Sequence, residues 1–243
     1  MTTSPLILGV DTATLGGSVS IARGKVVLAS RVGDAGVSHS NSLLRDIKEC
    51  LQRVDVTLGE VDLFAAASGP GSFTGLRIGL ATVKGLAATL KRGCIGIPTL
   101  HAVAHAAGPS VATVALLSAG RGEVFVQLFS VSTDHTVTPL DAAAHLSPRQ
   151  LLEKYASLKN LTWTGPGAHA HRDFLREYAR EQRIEFNEVE KQRQGWLLVS
   201  EQANLSKHVT ALAFQRFESG DVVEPQSLSA IYVRPSDAEL KWQ

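Results

Sequence analysis

The chain opens on an apolar run, Leu6-Ile7-Leu8-Gly9-Val10, that stops at the polar pair Asp11-Thr12. So short and so apolar a run predicts a buried strand that delivers a carboxylate to a turn. Gly16-Gly17 marks that turn. Residues 18–22 and 25–31, joined around Gly24, then predict two more strands of an antiparallel meander. The period changes after that. Leu43, Leu44, Ile47, Leu51 and Val54 recur at helical spacing, so residues 39–54 read as an amphipathic helix. Residues 61–67 are apolar except for Asp62 and predict a central strand covered on both faces.

A loop follows over Ser68-Gly69-Pro70-Gly71-Ser72-Phe73-Thr74, then a helix over 75–90 rich in small residues. Gly93 closes that stretch, residues 94–97 predict a short strand, and Pro98-Thr99 opens another helix with proline preset for its first turn. The second half varies the same theme. Residues 112–117, 123–131 and 136–143 predict strands; 148–156, 161–164 and 167–180 predict helix, strand, helix. A long helix is expected from about Trp196 to Phe217, and Ile231-Tyr232-Val233 reads as a short extended piece. Three strands followed by alternating helix and strand, twice, predict an α/β protein with a duplicated, two-lobed fold. The expected lobes are 1–108, completed by about 205–243, and a smaller one over 109–204.

Composition narrows the classes. Of 243 residues, 44% are hydrophobic and 19% charged, which excludes wholesale disorder. A net charge of +1 provides no field that could hold nucleic acid by itself. Two cysteines, Cys50 and Cys94, do not make a disulfide framework. The N-terminal stretch lacks a basic region, and no apolar run is long enough to span a bilayer, so a cytoplasmic protein without membrane contact is expected.

Few residues are candidates for chemistry. Asp11 and Thr12 at a strand end, and Gly69, Gly71 and Ser72 before a helix, could present hydroxyls and backbone N–H groups to a phosphate or nucleotide. The same residues would equally serve as a tight turn and a helix cap by Ser72 or Thr74. The loop is not a Walker A motif, because Gly-Lys-Ser/Thr is missing. Gly75 and Gly79, with Thr82 and Leu86, fall on one helical stripe. Glycine inside a helix costs about 0.5–1 kcal/mol relative to alanine, so close approach of another helix, internal or from a partner, is expected there. His101 and His105 have metal-ligand spacing but no intervening carboxylate and read as structural, as do His169 and His171. The charges over 172–193 alternate in sign, as on a solvated face.

The blocks Gly9-Val10-Asp11-Thr12-Ala13-Thr14, His39 to Leu44, Gly69 to Gly79, Pro98-Thr99-Leu100, Gly122-Glu123-Val124-Phe125 and Ile231-Tyr232-Val233-Arg234 occur in the order found in the bacterial TsaB (YeaZ) family. The chain resembles that family over nearly its whole length. The resemblance implies the ASKHA fold (actin-like, sugar-kinase-like, ribonuclease H-like), duplicated, with mixed sheets flanked by helices. It implies a non-catalytic partner of TsaD, the enzyme that threonylcarbamoylates adenosine 37 of tRNAs reading codons that begin with A. It further implies a heterodimer with TsaD, TsaE joining in the presence of nucleotide, a homodimer when alone, and tRNA contact only through the complex. No cofactor is implied, although ATP or ADP could sit at the TsaD interface. TsaD-like enzymes bind metal through H-x-x-x-H on the first helix; here His39 is followed by Leu43, so neither metal nor catalytic residues are expected. The resemblance places the partner interface on the two helices that carry Leu43, Leu44, Ile47, Gly75, Ile78 and Gly79. One block departs from the family: Ser118-Ala119-Gly120 stands where many members read Asp-Ala-Arg. The alternative is an active nucleotide-dependent phosphotransferase of the same superfamily, using Asp11 and the Gly69 loop.

Overall fold

A computed structural model describes residues 4–36, 39–188 and 194–233, except the side chains of residues 39–41. The chain divides into two compact units, one from Met1–Ala102 with Ala203–Tyr232, the other containing Val103–Gln202.

In the first unit, β1 (Leu6–Asp11), β2 (Ser18–Arg23) and β3 (Val26–Val32) form the meander, and β4 (Leu63–Gly69) and β5 (Gly93–Pro98) add parallel strands. The strand order is β3-β2-β1-β4-β5. Every residue of β1 and β4 is buried, which is why both read as continuous apolar runs rather than alternating ones. α1 (His39–Arg53) and α2 (Phe73–Leu90) pack on one face, where Leu43, Ile47, Leu51, Leu80 and Val83 join Leu8, Val10 and Ile21 in a common core. α7 (Ser206–Glu218) contacts β1 and β2. It comes close at Gly9, where a Cβ would overlap the Thr210 methyl.

The second unit repeats the wiring. β6 (Ser110–Gly120), β7 (Glu123–Val131) and β8 (Val137–Pro139) run antiparallel, with β9 (Ala144–Leu146) also paired to β7. β10 (Leu161–Thr164), β12 (Trp196–Leu198) and β11 (Phe186–Asn187) follow in parallel, giving the order β11-β12-β10-β6-β7-β8. The β6–β7 hairpin turns through Arg121-Gly122, both at positive φ (53° and 78°), the geometry of a type I′ turn. α4 (Pro148–Tyr155) starts from a capping box in which Ser147 and Gln150 satisfy each other's backbone N–H groups. Its core joins Trp163, Trp196, Tyr155 and Leu175.

Several sequence expectations need correction. The helix expected from Trp196 is two elements: Trp196–Leu198 is β12, paired parallel to β10, and the helix begins only at Ser206. The helix expected over 167–180 breaks at His171 into α5 (Pro166–Ala170) and α6 (Arg172–Glu181). The strand expected over 136–143 is β8, and β9 lies beyond it. α2 begins two residues early, at Phe73, and Pro98 ends β5 rather than opening α3 (Thr99–Ala106). Ile231 to Val233 form no strand; instead the Ile231 N–H donates to the Ser68 carbonyl at 2.7 Å. Arg234 and residues 189–193 lie outside the described residues. Among the described residues no helix is long and apolar enough to cross a membrane.

Candidate functional site

The candidate site is the turn after β1 and the loop that leads into α2. Asp11 is fully buried and folds back on its own turn. Its Oδ1 accepts the Ala13 N–H at 2.8 Å, and Oδ2 accepts the Thr14 hydroxyl. Thr12 points at α2, where its hydroxyl donates to the Gly75 carbonyl at 2.7 Å. The α2 loop meets the same turn. Ser72 N–H donates to the Ala13 carbonyl at 2.9 Å, and Gly71 lies so close to that carbonyl that no Cβ would fit. Ser72 also caps α2, its hydroxyl accepting the Gly75 N–H at 3.2 Å. Gly69 N–H donates to the Thr99 hydroxyl at 3.0 Å.

The fold therefore brings Asp11 and Thr12 up against the loop that carries Gly69, Gly71 and Ser72. Both oxygens of Asp11 and the N–H groups of Gly69 and Ser72 are already engaged within the protein. Beside them is a cavity of about 10 Å³ lined by Asp11, Thr12, Gly16, Gly17, Ser42 and Asp46, among others. That volume suits roughly one water molecule.

The stripe of glycines on α2 has an internal cause. A Cβ on Gly75 would overlap the Thr12 carbonyl, and one on Gly79 the Thr12 hydroxyl. The close neighbour is the β1 turn, not another helix. Leu43 and Ile47 are 5% and 4% exposed and belong to the core. Four of the six residues expected to anchor a partner, Leu43, Ile47, Gly75 and Gly79, are buried within the chain. Leu44, 63% exposed, and the partly buried Ile78 remain at the surface.

What lies open instead is the next stripe around α2. Thr74, Ala81, Gly85 and Ala88 are exposed and, with Ile78, recur at alternating steps of four and three residues. Gly85 has nothing within 4 Å of the place a Cβ would take. The sequence reading placed a close contact on the Gly75–Gly79 stripe, where it is found, but expected a helix there rather than the β1 turn. It also missed the cluster at the start of α2. There the Arg77 guanidinium lies 3.8 Å over the Phe73 ring, and Phe73 lies 5.5 Å from Tyr232.

Asp46, 4% exposed, is paired with Arg31 at 2.7 Å. Burial pushes the Cys50 thiol up to about 11. His101 and His105 are both pushed down to about 4, first by burial and then by Arg216 and His135 respectively. Among the described residues no group of three or more His, Cys, Asp or Glu is placed to hold a metal ion. His39 opens α1, and its side chain lies outside the described residues.

Residues 33–230 match the family model described as "TsaD: tRNA N6-adenosine threonylcarbamoyltransferase". The chain is 34% identical over 104 residues to the tRNA threonylcarbamoyladenosine biosynthesis protein TsaB of Buchnera aphidicola, covering 43% of this chain and 49% of that one. It is 32% identical over 122 residues to the Escherichia coli protein of the same name, covering 49% and 52%. The chain thus spans about half the length of these curated relatives. Among solved structures, YeaZ from Pseudomonas aeruginosa superposes with a TM-score of 0.72 at 23% identity, covering 94% of this chain and 99% of that one. The duplicated α/β fold of ASKHA type expected from the sequence is the fold observed.

Proposed function

Because the chain belongs to the TsaD family, on its TsaB (YeaZ) side, we propose that it is a non-catalytic subunit of the machinery that makes threonylcarbamoyladenosine in tRNA. In this reading it pairs with a TsaD-type transferase, with a TsaE-type protein joining when nucleotide is present, and meets tRNA only inside the complex. On its own it forms a homodimer.

The observation that carries the non-catalytic reading is the place of Leu43. It stands where the resemblance puts the second metal-binding histidine of the enzymes, and it fills the core beneath α1. An aliphatic side chain packed there supplies no ligand, and a lone imidazole from His39 does not hold a metal. The residues present do not fit the metal centre of the enzymes. Both oxygens of Asp11 are engaged within its own turn, which weighs against the phosphotransferase alternative.

The partner surface in this reading is the outer side of α1 and α2, through Leu44, Ile78 and the open stripe of Thr74, Ala81 and Gly85. The test is light scattering of the pure chain mixed with the TsaD-type protein of the same organism, together with an ATP turnover assay of the chain alone. A one-to-one species and no turnover are expected. Absence of any complex, or robust turnover by the chain alone, overturns the reading.

A further inference from the structure

The α1–α2 surface has a sign as well as a shape. On α1 the buried side carries Leu43, Ile47 and Cys50. Arg31, on β3, holds the flank with Asp46 and Glu49, each at 2.7 Å. The opposite flank carries exposed Leu44 and Lys48, one helical turn apart. α2 contains Arg77 and Lys84 and no acidic residue at all. Lys84 is drawn to the far side, donating to the carbonyls of Gln226 and Leu228 at 3.3 and 3.0 Å. Arg77 stays exposed over Phe73. The two carboxylates of α1 are engaged by Arg31 and Arg45, so among the described residues of α1 and α2 the exposed charges left without an ion-pair partner are positive, including Lys48 on α1 and Arg77 on α2.

We propose that this surface selects its occupant by charge: it takes a partner helix pair whose apolar stripe is edged by carboxylates, in preference to a second copy of this chain. The apolar centre supplies burial to any helix that fits. A second copy would bring Lys48 and Arg77 against themselves, since a two-fold interface sets the same patch on both sides, and like charges facing across an interface are penalised. An acid-edged partner meets the same cations as attractions and is steered to them. Gly85 lets a facing helix come close, and the basic edges decide which helix does. The inference rests on the pairing proposed above and adds the chemistry of the partner.

The experiment measures affinity for the TsaD-type partner and self-association, both by sedimentation, at about 50 and about 300 mM NaCl, across which the Debye length shortens from above to below 10 Å. The proteins are wild type, Lys48→Glu/Arg77→Glu, and Lys25→Glu, an exposed control in the β2–β3 turn. Thermal melts check that each is folded. Salt is expected to weaken the heterodimer at least about tenfold and to strengthen self-association. The double reversal is expected to weaken the heterodimer at least about tenfold at low salt, with the control staying within about twofold of wild type. A heterodimer that forms but ignores salt and the double reversal overturns the charge selection and leaves the proposed pairing standing. No heterodimer with wild type in either salt overturns the pairing itself.

Discussion

The hydroxyl of Thr12 occupies the space that a Cβ on Gly79 would need. The same hydroxyl donates to the Gly75 carbonyl at 2.7 Å, so the β1 turn and the first turns of α2 are locked into one unit. Gly79 is therefore a packing residue, and its counterpart on the open stripe is Gly85, with nothing near it.

These two glycines separate packing from helix propensity. Gly79→Ala forces the buried Thr12 to shift and should cost about 1–3 kcal/mol, the usual range for overpacking. Gly85→Ala meets no atom and should gain about 0.5–1 kcal/mol, because alanine suits a helix interior better than glycine. Urea unfolding of both variants checks the signs. Equal effects at the two positions would contradict the packing.

Stability should fall in mild acid. His101 and His105 have folded pKa values of about 4, against an ordinary value of 6.5. Between those values the unfolded chain binds more protons than the folded one, so stability is fully present above about pH 6.5 and is lost as pH falls toward 4. His105→Gln removes one of the two groups and should flatten the profile. Denaturation midpoints measured from pH 7 to pH 4.5 decide it, and an unchanged slope in the variant counts against the assignment.

Asp141 ties the second unit together. It accepts the Tyr155 hydroxyl at 2.6 Å and the Leu128 N–H at 2.8 Å, and pairs with Lys154 at 2.7 Å. Asp141→Ala leaves a buried phenol without its acceptor and should cost about 2–3 kcal/mol, in the range for hydrogen bonds to charged groups. Tyr155→Phe removes one partner and should cost less. Thermal melts of both, with near-ultraviolet circular dichroism, give the comparison.

Both cysteines should resist thiol reagents in the native state. Cys50 and Cys94 are buried, and burial raises both thiols above their ordinary range, Cys50 to about 11. The thiolate is the reacting species. At pH 8 labelling should follow unfolding, with both sites reacting together in denaturant. Rapid native labelling of Cys50 would show that α1 opens.

Much of the fold was legible because its signals are local. The meander of β1 to β3, the amphipathic α1 and the helix from Pro148 each announce themselves within a few residues. Trp196-Leu197-Leu198 did not. A three-residue apolar run fits a helix or a strand equally well, and what makes it β12 is its parallel pairing with Leu161-Thr162-Trp163. The site divided in the same way. That Asp11-Thr12 ends a strand and that Ser72 or Thr74 caps a helix could be read from adjacent residues. That Asp11 is engaged within its own turn while Thr12 reaches the Gly75 carbonyl, 63 residues away, could not.

The sequence by itself determined that a meander, an amphipathic α1 and a buried β4 succeed one another, that the pattern is duplicated, and that an aliphatic residue, Leu43, stands on the apolar face of α1. Those properties depend on neighbours within one or two turns of chain. Only the tertiary structure decided which stripe of α2 is spent and which is open. Thr12 and Gly75 lie 63 residues apart, and helical periodicity alone does not say which face a distant turn will cover. Gly79 and Gly85 are both glycines in one helix; the segment packed against the first, and missing from the second, gives them opposite meanings.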